Sequence, residues 1–132
     1  TILAVDDIRL NLELKRGLLE PHGYEVLTAE TMAEALALAR ARTPDLIISD
    51  VGMKFGDGFE FIAALKADPA LAGIPVLFVS STHWDVQART RGLALGAARY
   101  LRRPMDSHLL LGEIRAVLDE HRHSGPRGEP SG

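Results

Sequence analysis

Three aspartates stand where two short apolar runs end. Ile2-Leu3-Ala4-Val5 runs into Asp6-Asp7, and Leu46-Ile47-Ile48-Ser49 runs into Asp50. Runs of this kind, each followed by further elements of helical period, read as buried strands of a parallel sheet. Such sheets collect ligands outside the carboxyl ends of their strands, so the three carboxylates converge on one edge. Like charges held together are unfavourable unless protonated or bridged by a cation. A hard divalent ion such as Mg2+ resolves the conflict, because it takes oxygen ligands and keeps waters and phosphate oxygens around it. A lone strand-end aspartate more often caps a turn or helix. An acid at Asp6 or Asp7 would also favour the positive end of the first helix by about 0.3–1 kcal/mol. An adjacent pair exceeds what capping needs, and a glycine-rich loop rather than a helix follows Asp50, so the joint pattern favours an ion site.

Two further strand ends bring polar groups to the same edge. Val76-Leu77-Phe78-Val79 ends in Ser80, with Ser81 and Thr82 next in line; alternation and nearness to the strand end favour Ser80. Arg103-Pro104 follows the fifth strand, and a guanidinium there can meet phosphate or carboxylate oxygens through paired N–H donors. Tyr100, inside that strand, reads as a half-buried sheet aromatic. His83, His121 and His123 lack ligand spacing to any carboxylate and read as surface residues.

The elements that must position these groups follow from periodicity. Apolar runs alternate with helix-period segments five times, which predicts an α/β fold with a parallel sheet. The strands are placed at Ile2–Val5, Tyr24–Thr28, Asp45–Ser49, Pro75–Ser80 and Arg99–Leu101. The first helix covers about 8–20, with Leu10, Leu14 and Leu18 on one face, and Pro21-His22-Gly23 stops it. The second runs from about Thr31 to Arg42, with Thr31 as cap, Glu34 three residues on, and Met32, Ala35, Leu36 and Ala39 facing inward. The remaining helices are expected at about 59–67, 85–95 and 107–121. Gly56 and Gly58 permit a sharp turn after Asp50.

Composition narrows the function classes. The 132 residues suit one domain with a single core. A net charge of -3 offers no footprint for a nucleic-acid backbone. With no cysteine there is no disulfide, thiolate or zinc-ribbon chemistry. No apolar stretch is long enough to span a bilayer and no leader precedes the first strand, so a cytoplasmic protein is expected. Residues 1–122 are read as one domain. Residues 123–132, rich in Gly, Pro and Ser, are read as a disordered tail or the start of an interdomain linker. The chain begins directly in a strand, as a piece of something longer would.

With these residues placed, the chain resembles the receiver domain of bacterial two-component response regulators. The resemblance rests on Asp6-Asp7 after strand one, Asp50 after strand three, Asp57-Gly58 seven residues on, Ser80 after strand four, and a basic residue with Pro104 after strand five. It implies a doubly wound, flavodoxin-like sandwich of five β/α units with strand order 2-1-3-4-5. It implies that Asp50 accepts a phosphoryl group from a histidine kinase or phosphotransfer protein. Asp7 would hold Mg2+ directly, Asp6 largely through water, and the Gly52 carbonyl would complete the protein ligands. Ser80 would hydrogen-bond a phosphoryl oxygen and Tyr100 would turn inward, changing the surface of helix four, strand five and helix five. An output domain or partner protein would read that surface, and homodimerisation through it is open. Such a domain is a switch rather than an enzyme.

Departures from the family pattern are informative. Arg103 stands where the family has lysine, and a planar fork is not a conservative replacement for a point charge. Lys54 replaces a proline in the loop after Asp50, and one extra residue falls near Ser81–Trp84. The alternative reading is therefore a degenerate receiver acting as a phosphorylation-independent interaction module. A phosphatase with a strand-end aspartate nucleophile would want a second acid two residues later, where Gly52 stands. Flavin or dinucleotide binding would want a glycine-rich phosphate loop after strand one, where Asp6-Asp7 instead repels phosphate.

Overall fold

In the computed structural model, which describes residues 1–51, 58–80, 86–102 and 106–123 (Ser80 and 121–123 as backbone only), five strands alternate with five helices. They are β1 (Ile2–Val5), α1 (Arg9–Leu19), β2 (Val26–Ala29), α2 (Met32–Arg42), β3 (Leu46–Ser49), α3 (Gly58–Ala67), β4 (Val76–Ser80), α4 (Val86–Ala94), β5 (Arg99–Arg102) and α5 (Ser107–His123). The sheet is wholly parallel in the order β2-β1-β3-β4-β5, as expected of a doubly wound sandwich.

Strand alternation divides the core in two. Ile2, Ala4, Leu46, Ile48, Leu77 and Val79 pack with Leu12 and Leu19 of α1 and with Leu110, Leu111, Ile114 and Val117 of α5. Leu3, Val5, Ile47, Val76, Phe78 and Tyr100 face the other way, against Ala35 and Ala39 of α2 and Phe59, Phe61, Ile62 and Leu65 of α3. Both faces of the sheet are thus covered, which is why its strands read as continuous apolar runs rather than alternating ones.

Local rules account for several boundaries. Thr31 caps α2 by accepting the Glu34 N–H at 3.1 Å. The Glu34 carboxylate reaches back one residue beyond the cap, to the Glu30 N–H at 2.7 Å. Arg9–Leu19 is followed by a short 3-10 turn over Glu20–His22, closed by Gly23 at φ 92°. The Tyr24 N–H then bonds back to the Leu19 carbonyl at 3.4 Å, which keeps Tyr24 at the helix end, and β2 starts at Val26, two residues later than expected.

The face of α1 is a clear correction. Leu12, Lys15 and Leu19 are buried, Leu18 is partly buried, and Leu10 and Leu14 are exposed. The leucine stripe at i, i+4 and i+8 is genuine, but the sheet covers the neighbouring stripe, lysine included. Gly58 has a tertiary role that the sequence did not show. It is the first residue of α3, and a Cβ there would stand 2.8 Å from the Asp50 carbonyl and 2.9 Å from the Val51 Cα. Close approach of two backbones requires glycine at this position; the turn itself, residues 52–57 with Gly56, lies outside the described residues.

Candidate functional site

Register decides which side chains meet at the carboxyl edge. Val5 pairs with Ser49, and the Asp50 N–H donates to the Val5 carbonyl at 3.0 Å, which sets Asp50 beside Asp6. Both continue the even-numbered rows, Ile2-Ala4 and Leu46-Ile48, that face α1 and α5. Asp7 joins them from the turn into α1. One carboxylate oxygen from each of Asp6, Asp7 and Asp50 lies within 4.8 Å of the others.

Asp6 and Asp50 are held differently. Asp6 is fully buried, and its two oxygens have separate duties. Oδ1 accepts the Ile8 N–H at 2.9 Å, an Asx turn that leads into α1. Oδ2 accepts the Asn11 side-chain N–H at 3.1 Å and lies 4.0 Å from the Lys15 ammonium. Turn formation and membership of the acidic cluster therefore coexist in one residue. Asp50 is 8% exposed, and its Oδ1 accepts the Val51 N–H at 2.8 Å. The Ser49 hydroxyl donates to the Asp50 carbonyl at 2.8 Å, and the Gly58 N–H donates to the Val51 carbonyl at 2.7 Å. The end of β3 is thereby tied to the first residue of α3.

The donor set suits a hard cation. Three carboxylates, with no sulfur or imidazole ligand beside them among the described residues, are what Mg2+ or Ca2+ selects. Oxygens at about 2.1 Å from one Mg2+ stand at most about 4.2 Å apart. The observed spacing is therefore within a small side-chain movement of a shared ion.

On the other half of the edge, Tyr100 is more buried than a half-exposed sheet aromatic. Its ring packs edge-to-face on Phe78, centroid to centroid 5.8 Å, and Phe78 packs likewise on Phe59 at 5.9 Å. The ring lies over Gly92 of α4, where a Cβ would meet its Cδ2 at 2.7 Å. Arg99 ties β5 to α5, its Nε 2.8 Å from Glu113 and its Nη2 2.6 Å from Glu120. The Glu120 and Glu113 hydrogen bonds raise the Arg99 pKa, and the Arg99 hydrogen bond lowers that of Glu120.

Of the residues read from sequence, the structure brings Asp6, Asp7 and Asp50 together. Ser80 ends β4 opposite Arg102 of β5, with its backbone alone described. Gly52, Arg103, Pro104 and the Lys54 and Ser81–Trp84 departures lie outside the described residues. Asn11 and Lys15 reach the pocket without having been singled out for it. Their signal was available: both follow Asp6 on the first helix at i, i+4 spacing, which puts them on one face.

Comparison with known proteins agrees with this geometry. The family model for the response regulator receiver domain matches residues 2–115. The chain is 36% identical to the protein PilH of Pseudomonas aeruginosa over 117 residues, covering 89% of this chain and 96% of PilH. It is 36% identical to the response regulator PleD of Caulobacter vibrioides over 137 residues, covering 99% of this chain and spanning 30% of PleD. A CheY-like response regulator receiver domain protein from Methanospirillum hungatei superposes with a TM-score of 0.87 at 28% identity, covering 94% of this chain and 97% of that one.

Proposed function

Since the chain belongs to the response regulator receiver domain family, we propose that it is a phospho-accepting switch of two-component signalling, phosphorylated on Asp50 with Mg2+. The observation that carries this reading is the convergence of Asp6, Asp7 and Asp50 from two adjacent strand ends. The donor is a phosphohistidine of a histidine kinase or phosphotransfer protein. An Asp50 oxygen forms the new bond to phosphorus as the phosphorus–nitrogen bond breaks, and the electron pair leaves with the donor imidazole. Bound Mg2+ would offset the negative charge of the carboxylates and of the incoming phosphoryl oxygens. Asp7 would hold the ion directly, Asp6 through water, and Gly52 through its carbonyl.

The Val51 N–H orients the attacking carboxylate, and the Asp50–Val5 backbone bond keeps it level with Asp6. Such fixed positioning carries much of phosphoryl transfer, where the protein has little covalent chemistry of its own to do. In this proposal Ser80 and Arg103 meet the phosphoryl oxygens. Tyr100 couples that event to the surface of α4, β5 and α5, which an output domain, a partner protein or a second copy of the chain reads. Residues 1–122 form the receiver domain and 123–132 a tail or linker, in a cytoplasmic protein. Among the described residues, no helix is long and apolar enough to cross a membrane.

Arg103 in place of the family lysine favours a second reading, a receiver used as a phosphorylation-independent interaction module. One experiment separates the two. Acetyl phosphate with Mg2+ should add one phosphoryl, about 80 Da by intact mass, and Asp50→Asn should abolish the gain while leaving the circular dichroism spectrum unchanged. No gain at saturating donor would favour the second reading.

A further inference from the structure

Lys15 occupies an unusual place for a lysine. It is 9% exposed, on the inward face of α1 between Leu12 and Leu19, and its ammonium lies 4.0 Å from Asp6 Oδ2. Lysine is almost never this buried unless it is paired. Its stem fills the position an apolar residue would take in this helical stripe, and its head ends at the fully buried member of the acidic cluster.

We propose that Lys15 is an internal counterion of the acidic pocket: it offsets one of the three carboxylate charges and thereby sets the pocket's affinity for its divalent cation. The inference rests on the reading of that pocket as a Mg2+ site, and it concerns the pocket before phosphorylation. Among the described residues, Asp6, Asp7 and Asp50 bring three formal negative charges together, and Lys15 offsets one of them. Without Lys15 the cluster would repel itself more strongly when empty and hold a cation more tightly when full. Lys15 is thus a positioning residue, acting through Asp6 rather than on the phosphoryl group.

The test needs no phosphoryl donor. Wild type and Lys15→Met, which keeps an unbranched apolar stem, are unfolded thermally in EDTA and across a Mg2+ titration, and the apparent Kd is taken from the rise in Tm. Lys15→Met should have a lower Tm in EDTA and bind Mg2+ about tenfold more tightly. Lys15→Gln, which keeps a polar head, should shift Kd in the same direction. A Kd indistinguishable from wild type in both variants would overturn the proposal. So would failure of both variants to fold at saturating Mg2+, because Lys15 would then serve core packing. If Mg2+ raises Tm in neither wild type nor variants, the pocket is not a Mg2+ site and both readings fall together.

Discussion

The two halves of the sheet's carboxyl edge are built by different forces. Between β1 and β3 the acids are held by directed bonds from the backbone and from α1: Ile8 N–H and Asn11 on Asp6, Val51 N–H on Asp50. Between β4 and β5 the described architecture is a run of rings, Phe59 on Phe78 on Tyr100, seated over a glycine in the last turn of α4. Hydrogen bonds lose strength steeply with distance and angle, so they fix charged groups in one arrangement. Ring packing depends on filled volume, and a packed core moves between discrete arrangements rather than deforming smoothly. The first half suits holding charge still. The second suits a proposed switch with two positions.

Two glycines, one in each half, offer the sharpest way to test that contrast. Gly58→Ala would press a Cβ onto the Asp50 carbonyl and the Val51 Cα, which have no room to move. It should cost about 2–3 kcal/mol in urea denaturation, in the range of overpacking, and should slow phosphoryl uptake from acetyl phosphate. Full stability in Gly58→Ala would show that the ligand half is less rigid than its hydrogen bonds suggest.

Gly92→Ala meets a side chain instead. The new methyl would displace the Tyr100 ring, while the helix gains about 1 kcal/mol from replacing glycine by alanine. The net change should be under about 1 kcal/mol, with greater exposure of Tyr100 to fluorescence quenchers. In a Tyr100→Ala background the same substitution should be stabilising, and that sign change is the double-mutant signature of a slot made for the ring. An unchanged effect in both backgrounds would break the aromatic side of the comparison.

The smallest effect concerns the far rim, where Arg99 joins β5 to α5. The Arg99 hydrogen bond holds Glu120 below its ordinary pKa. A carboxyl lowered in the folded state contributes its stability above its unfolded pKa and loses it as pH falls through the lower folded value. Acid titration of the urea midpoint below roughly pH 4.5 should therefore show a shallower fall in Glu120→Gln than in wild type. The difference will be small, since exposed ion pairs are screened by water.

Much of this was legible in the order of residues. Short apolar runs placed β1, β3 and β4 to within a residue, because both faces of a parallel sheet are covered and nothing interrupts the hydrophobic pattern. Thr31 and Glu34 marked the start of α2 because capping is a local bond within four residues. Asp6, Asp7 and Asp50 were found because carboxylates seldom follow buried strands in such company. What misled was also physical. Leu10, Leu14 and Leu18 form a helical stripe as good as the stripe of Leu12, Lys15 and Leu19, and no local rule ranks a lysine above a leucine for burial.

By itself, then, the sequence determined the kind and order of elements, and which strand ends carry acids, since those depend on short-range periodicity and on chemistry fixed residue by residue. The three-dimensional packing decided the rest. Which face of α1 turned inward, that Lys15 ends beside Asp6, that Gly58 admits the Asp50 backbone and that Gly92 admits Tyr100 all depend on contacts between residues distant in the chain. Their distances follow from parallel register and helix placement, and no stretch of neighbouring residues encodes them.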